Sequence, residues 1–125
     1  MIMNECPFCN IDENKKVLLN YKCFAIYDEY PVSPGHMLVI PSEHITDYRN
    51  LTEHQRFILW DMVDKAINFL TEKYHPDGFN IGINCGDAAG QSVPHVHIHV
   101  IPRYNGDVDN PKGGVRGVIP NKQRY

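Results

Sequence analysis

The sequence predicts an α+β domain: a mainly antiparallel five-stranded sheet with one long helix and a short N-terminal element. Three observations predict it. Short runs of strand-forming residues are separated by Gly, Pro and Asn turns, and a single 3.6-residue apolar repeat is long enough for a helix. The repeated strand–helix–strand alternation of a doubly wound fold is missing. At 125 residues the chain is one compact domain's worth of sequence.

Residues 17–19 and 23–27 read as the first two strands, with Asn20-Tyr21-Lys22 as their turn. Pro31-Val32-Ser33-Pro34-Gly35 has the composition of a loop and delivers the chain into a third strand, 36–40, stopped by Pro41. Thr52 is a good N-cap, and Gln55 completes a capping-box pattern at the start of the helix. Ile58, Leu59, Met62, Val63, Ala66, Ile67 and Leu70 then recur on one face. Pro76 and Gly78 place the helix end near Tyr74. Phe57, Trp60 and Phe69 widen the apolar surface, which suits either a partner subunit or a deeper core. Two further strands follow, 79–84 and 96–101, joined by the Gly-bearing loop 85–92.

The chain carries 12 basic and 15 acidic side chains, a formal charge of −3. With a pI near 6.1, it lacks the basic excess of a general nucleic-acid binder. No apolar run is long enough to cross a membrane, and the start has no signal-peptide plan, so cytoplasmic residence is expected. The charge is split, however. Residues 1–102 hold 7 basic and 13 acidic side chains, −6, whereas 103–125 hold 5 and 2, +3. The expected organisation is a domain over 1–102 and a basic C-terminal tail, 103–125, packing on or near the functional site.

Pro94-His95-Val96-His97-Ile98-His99-Val100-Ile101-Pro102 is the decisive segment. Strand alternation puts His95, His97 and His99 on one face, read as exposed, and Val96, Ile98 and Val100 on the other, beneath the helix. Two chemistries use such a row. A metal could take adjacent imidazoles, but the outer two backbones lie about 13 Å apart, so all three converge on one ion only with strain. Alternatively, the middle imidazole is a nucleophile whose neighbours orient it and bind charge. Asn84, Gln91 and Ser92 supply neutral donors, and Gly86 and Gly90 permit close backbone approach, a combination that suits a phosphate. Neither GxxxxGK[ST] nor GxSxG is present.

Residues 90–103, from Gly90-Gln91-Ser92 through the three histidines to Pro102-Arg103, resemble the signature of the histidine triad (HIT) family. Pro34-Gly35-His36-Met37-Leu38-Val39-Ile40-Pro41 resembles its other shared strand, and with the helix between them the likeness spans nearly the whole chain. The resemblance implies a nucleotide hydrolase or transferase acting at the α-phosphate of a nucleoside 5′-phosphate ester, anhydride or amidate. It implies His97 as the nucleophile, flanked by His36 and His99, with Asn84, Gln91 and Ser92 holding phosphates and the leaving group. Asp28 takes the ribose position, and Phe8, Ile11 and Ile26 form the slot for the base. Homodimers are common in the family.

Cys6-Pro7-Phe8-Cys9 is half of a structural zinc site or a redox pair, and the context for the redox reading is absent. The other half of a zinc site needs histidines, for which His44 and His95 are the candidates. Some HIT proteins bind Zn²⁺ with this four-residue set, a structural ion with no part in the chemistry. The resulting expectation is a hydrolase of dinucleoside polyphosphates working through a nucleotidyl-histidine. A nucleoside phosphoramidate hydrolase and a non-catalytic, zinc-stabilised nucleotide-binding module are the alternatives.

Overall fold

The computed structural model describes residues 3–125, except for the side chain of Met3. Five strands form one sheet: β1 (Leu18–Leu19), β2 (Cys23–Tyr27), β3 (Met37–Pro41), β4 (Gly78–Gly82) and β5 (Ile98–Arg103). Their order is β1-β2-β3-β5-β4, with every neighbour antiparallel. One helix, α1 (Glu53–Tyr74), crosses between β3 and β4 in the chain.

The helix begins and ends for local reasons. Thr52 Oγ1 accepts from the Gln55 amide at 3.1 Å, and Gln55 Oε1 accepts from the Thr52 amide at 2.8 Å, the reciprocal cap that the sequence predicts. At the other end His75 turns into the left-handed region, φ 52°, and its amide closes on the Thr71 carbonyl. Leu59, Met62, Val63, Ala66 and Leu70 are buried beneath it. They meet Cys23, Ala25, Met37, Val39, Ile98 and Val100 from the sheet and Val96 from the segment that leads into β5. Each large apolar side chain fully buried there contributes about 1.5–3 kcal/mol. Phe57 and Trp60 stay outside, 71% and 39% exposed, whereas Phe69 leans on the core.

The opposite sheet face has its own cover. Phe24, Ile26, Leu38 and Ile40 alternate with the helix-facing set, and Phe8 and Ile11 from the N-terminal segment pack on them. This cover changes one expectation: His95 and His97 are buried, with 0% and 6% exposure, rather than displayed on an open face. The alternation itself holds. The ladder, however, starts only at Ile98, so His95 and His97 arrive on an arch pinned by the Val96 amide on the Ile45 carbonyl at 2.8 Å.

The tail folds into short 3-10 turns at Gly114–Val118 and Pro120–Lys122. Together with Asn80, Ile101 and Arg103 it lines a separate cleft. Arg103 is held by both Asp107 oxygens at 2.8 Å and by Asn80 Oδ1 at 2.6 Å. Arg116 donates to the Gln123 and Lys122 carbonyls. No helix among the described residues is long and apolar enough to cross a membrane.

Candidate functional site

Adjacent antiparallel strands β3 and β5 bring the histidines together, because Leu38 stands opposite His99 and His36 immediately precedes β3. The rings form a row. His36 to His99 and His99 to His97 are both 5.2 Å between centroids; Phe8 follows at 5.1 Å from His97, then His95 at 5.9 Å from Phe8, then His44 at 5.1 Å from His95. The strand places the histidines, and the N-terminal segment inserts one phenyl ring among them.

Hydrogen positions in this row follow from partners that can only donate or only accept. The Val32 amide donates to His36 Nδ1 at 3.1 Å, so neutral His36 carries its hydrogen on Nε2. That Nε2 lies 3.0 Å from His99 Nδ1 and 3.4 Å from Asp28 Oδ2. Donation to His99 leaves His99 with an Nε2–H. His97 Nδ1 faces the His95 carbonyl at 2.9 Å and must donate, which leaves an in-plane lone pair on His97 Nε2. His95 Nε2 likewise donates to the Pro41 carbonyl at 2.8 Å, freeing its Nδ1 as a lone pair. Two backbone carbonyls and one backbone amide thus decide what each imidazole can do.

Electrostatics agree with neutral rings at His36 and His99. Burial holds the His99 pKa down to about 4, with the neighbouring His97 and His36 adding to the effect and Asp28 opposing it. Burial also lowers His36, against the opposing pull of Asp28. Asp28 itself is held in place: its Oδ1 accepts from the Tyr30 amide at 2.9 Å, and its own amide donates to the His36 carbonyl at 3.0 Å.

A cleft of about 1070 Å³ opens over this row. Phe8, Ile11, Val17, Ile26 and Leu38 supply apolar lining, and Asp28, His36, His97, His99, Asn84 and Ser92 polar lining. Ten of the residues expected to make contact with a nucleotide, or to act on it, are Phe8, Ile11, Ile26, Asp28, His36, Asn84, Gln91, Ser92, His97 and His99; all but Gln91 line this one space. Gln91 is spent on the loop that carries it. Its Oε1 accepts from the Gly86 amide at 2.9 Å, and its Nε2 donates to the Thr46 and Val93 carbonyls at 2.7 and 3.1 Å. It therefore shapes the loop that presents Ser92. Leu38 and the Val32 amide went unread in the sequence. Leu38 was accessible to strand alternation, being out of phase with Met37 and Val39, whereas a loop amide leaves no side-chain signal.

Beyond Phe8, four donor atoms converge. Cys6 Sγ and Cys9 Sγ lie 3.4 and 3.6 Å from His95 Nδ1; Cys9 Sγ and His95 Nδ1 each lie 3.2 Å from His44 Nδ1. With metal–sulfur and metal–nitrogen bonds near 2.3 and 2.0 Å, a tetrahedron has edges of about 3.3–3.8 Å, so the donor set fits Zn²⁺ in both chemistry and spacing. The second cluster of ligand-type atoms, Asp28, His36 and His99, fits a cation poorly. There the Val32 amide commits His36 Nε2 to carrying a hydrogen rather than a lone pair.

The HIT domain family model matches residues 11–106. An AP-4-A phosphorylase of Mycobacterium tuberculosis is 34% identical over 106 residues, covering 84% of this chain. The chain spans about half the length of that relative, 54%. A bis(5'-adenosyl)-triphosphatase of Dictyostelium discoideum is 38% identical over 87 residues, covering 70% of this chain and 58% of the relative. Among solved structures, a Zn-bound histidine triad family protein from Mycobacterium smegmatis superposes with a TM-score of 0.78 at 33% identity, covering 85% of this chain and 80% of that one.

Proposed function

The chain belongs to the HIT domain family, and from that premise we propose that it is a nucleotide hydrolase cleaving dinucleoside polyphosphates at the α-phosphate through a nucleotidyl-histidine on His97. One observation carries the reading: His97 Nδ1–H is tied to the His95 carbonyl at 2.9 Å, so the free lone pair sits on the Nε2 of a ring that lines the cleft. In the first step that lone pair attacks the α-phosphorus. The P–N bond forms, the P–O bond to the next phosphate breaks, and the departing nucleotide keeps the bridging oxygen. In the second step water attacks the same phosphorus, the P–N bond breaks, and a nucleoside monophosphate leaves. The His99 Nε2–H and the unengaged side chains of Asn84 and Ser92 are the donors for the charge on the phosphate oxygens. The apolar lining of Phe8, Ile11 and Ile26 receives the base, and Asp28 accepts from ribose hydroxyls.

The four-donor cluster is the structural Zn²⁺ site in this reading: Cys6, Cys9, His44 and His95 tie the N-terminal segment to the sheet and take no part in the chemistry. In this reading the tail, 103–125, flanks the site. In support, the cleft that the tail lines with Arg103 and Arg124 shares Val32 with the nucleotide cleft and contains Ile101, the next outward residue of that face of β5 after His99. The exposed rings of Phe57 and Trp60 on α1 support a homodimer.

Parallel assays with diadenosine tetraphosphate and adenosine phosphoramidate test the substrate assignment. Faster turnover of the dinucleotide is expected; a large preference for the amidate overturns it. Because a relative is named a phosphorylase, the dinucleotide assay is run with and without inorganic phosphate. A nucleoside monophosphate as the product in both identifies water as the acceptor, and a nucleoside diphosphate identifies phosphate.

A further inference from the structure

Phe8 sits between two of the four metal-type donors in the chain, Cys6 and Cys9. In space it touches three things at once. Its ring stands edge-on to His95, a member of the donor cluster, at 5.9 Å. It stands edge-on to His97, the proposed nucleophile, at 5.1 Å. Its remaining surface packs with Ile26 and Leu38 and forms part of the cleft wall. His95 makes a parallel link: its Nδ1 faces the cysteine sulfurs, while its carbonyl accepts from His97 Nδ1 at 2.9 Å.

Outside its apolar packing, this segment is tied to the region of β2 at its far end, where Lys15 pairs with Glu29 at 3.6 Å and Lys16 lies over the Phe24 ring at 4.6 Å. Among the described residues, the backbone hydrogen bonds of residues 6–16 all close within that stretch, and the first to reach the sheet is the Val17 amide on the Ala25 carbonyl. Asn10 Nδ2 on the Cys6 carbonyl at 2.8 Å is also local. Next to Phe8 itself, the contacts that place the ring against His97 are the apolar packing of Phe8 and Ile11 and the convergence of Cys6 and Cys9 on His44 and His95. Without a cation, the second of these is held only by weak hydrogen bonds between thiols and imidazole nitrogens at 3.2–3.6 Å and one contact between the two rings, far looser than four bonds to one ion.

We propose that metal occupancy at Cys6, Cys9, His44 and His95 sets the affinity of the nucleotide cleft, and that Phe8 is the positioning residue that transmits it. The proposal rests on the zinc reading above. With the cation bound, the Cys6–Cys9 bridge is rigid and Phe8 is a fixed wall for the nucleoside and a fixed edge against the His97 ring. When the cation is removed the bridge is released, and the nucleotide must spend binding energy on reordering it. Coupling between two sites is reciprocal, so nucleotide must tighten the metal by the same factor that metal tightens nucleotide.

The test measures both directions at equilibrium, with Zn²⁺ and adenosine monophosphate as probes. Zn²⁺ affinity of the full chain is measured by chelator competition with and without saturating nucleotide, and nucleotide affinity is measured by calorimetry on the loaded and stripped protein. The expected factor is about tenfold in each direction. In Phe8→Ala the nucleotide binds more weakly to the loaded protein, and the coupling factor falls toward one; Phe8→Leu, which keeps an apolar wall, restores part of it. If the wild type binds Zn²⁺ through these four residues and its affinity is indifferent to nucleotide, the proposal is overturned. Full coupling in Phe8→Ala overturns the role of Phe8, and also covers a stripped chain that merely unfolds, since folding linkage does not need that ring. A Cys6→Ser/Cys9→Ser variant that retains its metal removes the ligand set and the proposal together, a result legible from metal analysis alone. Loss of hydrolytic activity by itself affects neither measurement.

Discussion

His36 Nε2 lies 3.0 Å from His99 Nδ1, and the Val32 amide on the far side of the His36 ring decides which of the two carries the hydrogen. His99 thereby keeps an Nε2–H without any acidic partner of its own. In the proposed reaction His36 acts through His99, as an orienting group. His36→Ala removes the donor and leaves the His99 ring free to change tautomer. We expect kcat to fall about 10- to 100-fold with KM nearly unchanged. Steady-state kinetics on the dinucleotide check this, and a change confined to KM contradicts it.

The low His99 pKa makes a second prediction. The ordinary value is 6.5 and the folded value about 4, so the unfolded chain binds the proton first as pH falls. Stability from this group is fully present above about pH 6.5, drains away between 6.5 and 4, and is gone below 4. Side-chain ¹⁵N NMR should show His99 neutral at pH 5.5, and the unfolding midpoint should drop across that window. A His99 titration midpoint near 6.5 contradicts the buried, neutral ring.

Gly35 shows how tightly the sequence is tied to the site. Its φ is +90°, and an added Cβ would lie 3.0 Å from Tyr74 Cδ2 and 3.2 Å from both Leu70 Cδ2 and Pro102 Cγ. Only glycine turns the chain under the end of α1 and delivers His36 to the sheet at once. Gly35→Ala is expected to cost about 1–3 kcal/mol in urea unfolding. A neutral substitution contradicts the packing.

Metal analysis makes the fourth prediction. The wild type should carry about one Zn²⁺ per chain and Cys6→Ser/Cys9→Ser none, with a lower unfolding temperature for the variant. Metal retained by the variant contradicts the assignment.

Some of this was legible in the residues and some was not. The Thr52–Gln55 cap and the stripe from Leu59 to Leu70 follow from local geometry, and each appears where the pattern puts it, whereas of the period-two histidines only His99 lies within β5. The burial of His95 and His97 was invisible, because Phe8 stands against both rings and Cys6 and Cys9 against His95, on a segment with no periodicity to announce that it covers a sheet. Gln91 has the chemistry of a phosphate donor, but its amide is committed to Gly86, Thr46 and Val93. Arg103 similarly meets Asp107 one turn on along the chain, a pairing that side-chain charge alone does not reveal. The tautomers depend on the Val32 amide and on the His95 and Pro41 carbonyls, backbone groups that every sequence has and only the fold aims.

The central claim is that His97 becomes covalently joined to the nucleotide. Rapid-quench intact mass spectrometry during turnover of diadenosine tetraphosphate, followed by peptide mapping, tests it most directly. The account predicts an adenylyl adduct on His97 that forms and decays at rates matching turnover, and that is absent, along with turnover, in His97→Ala. Turnover by His97→Ala, or an adduct mapping to another residue, would contradict it.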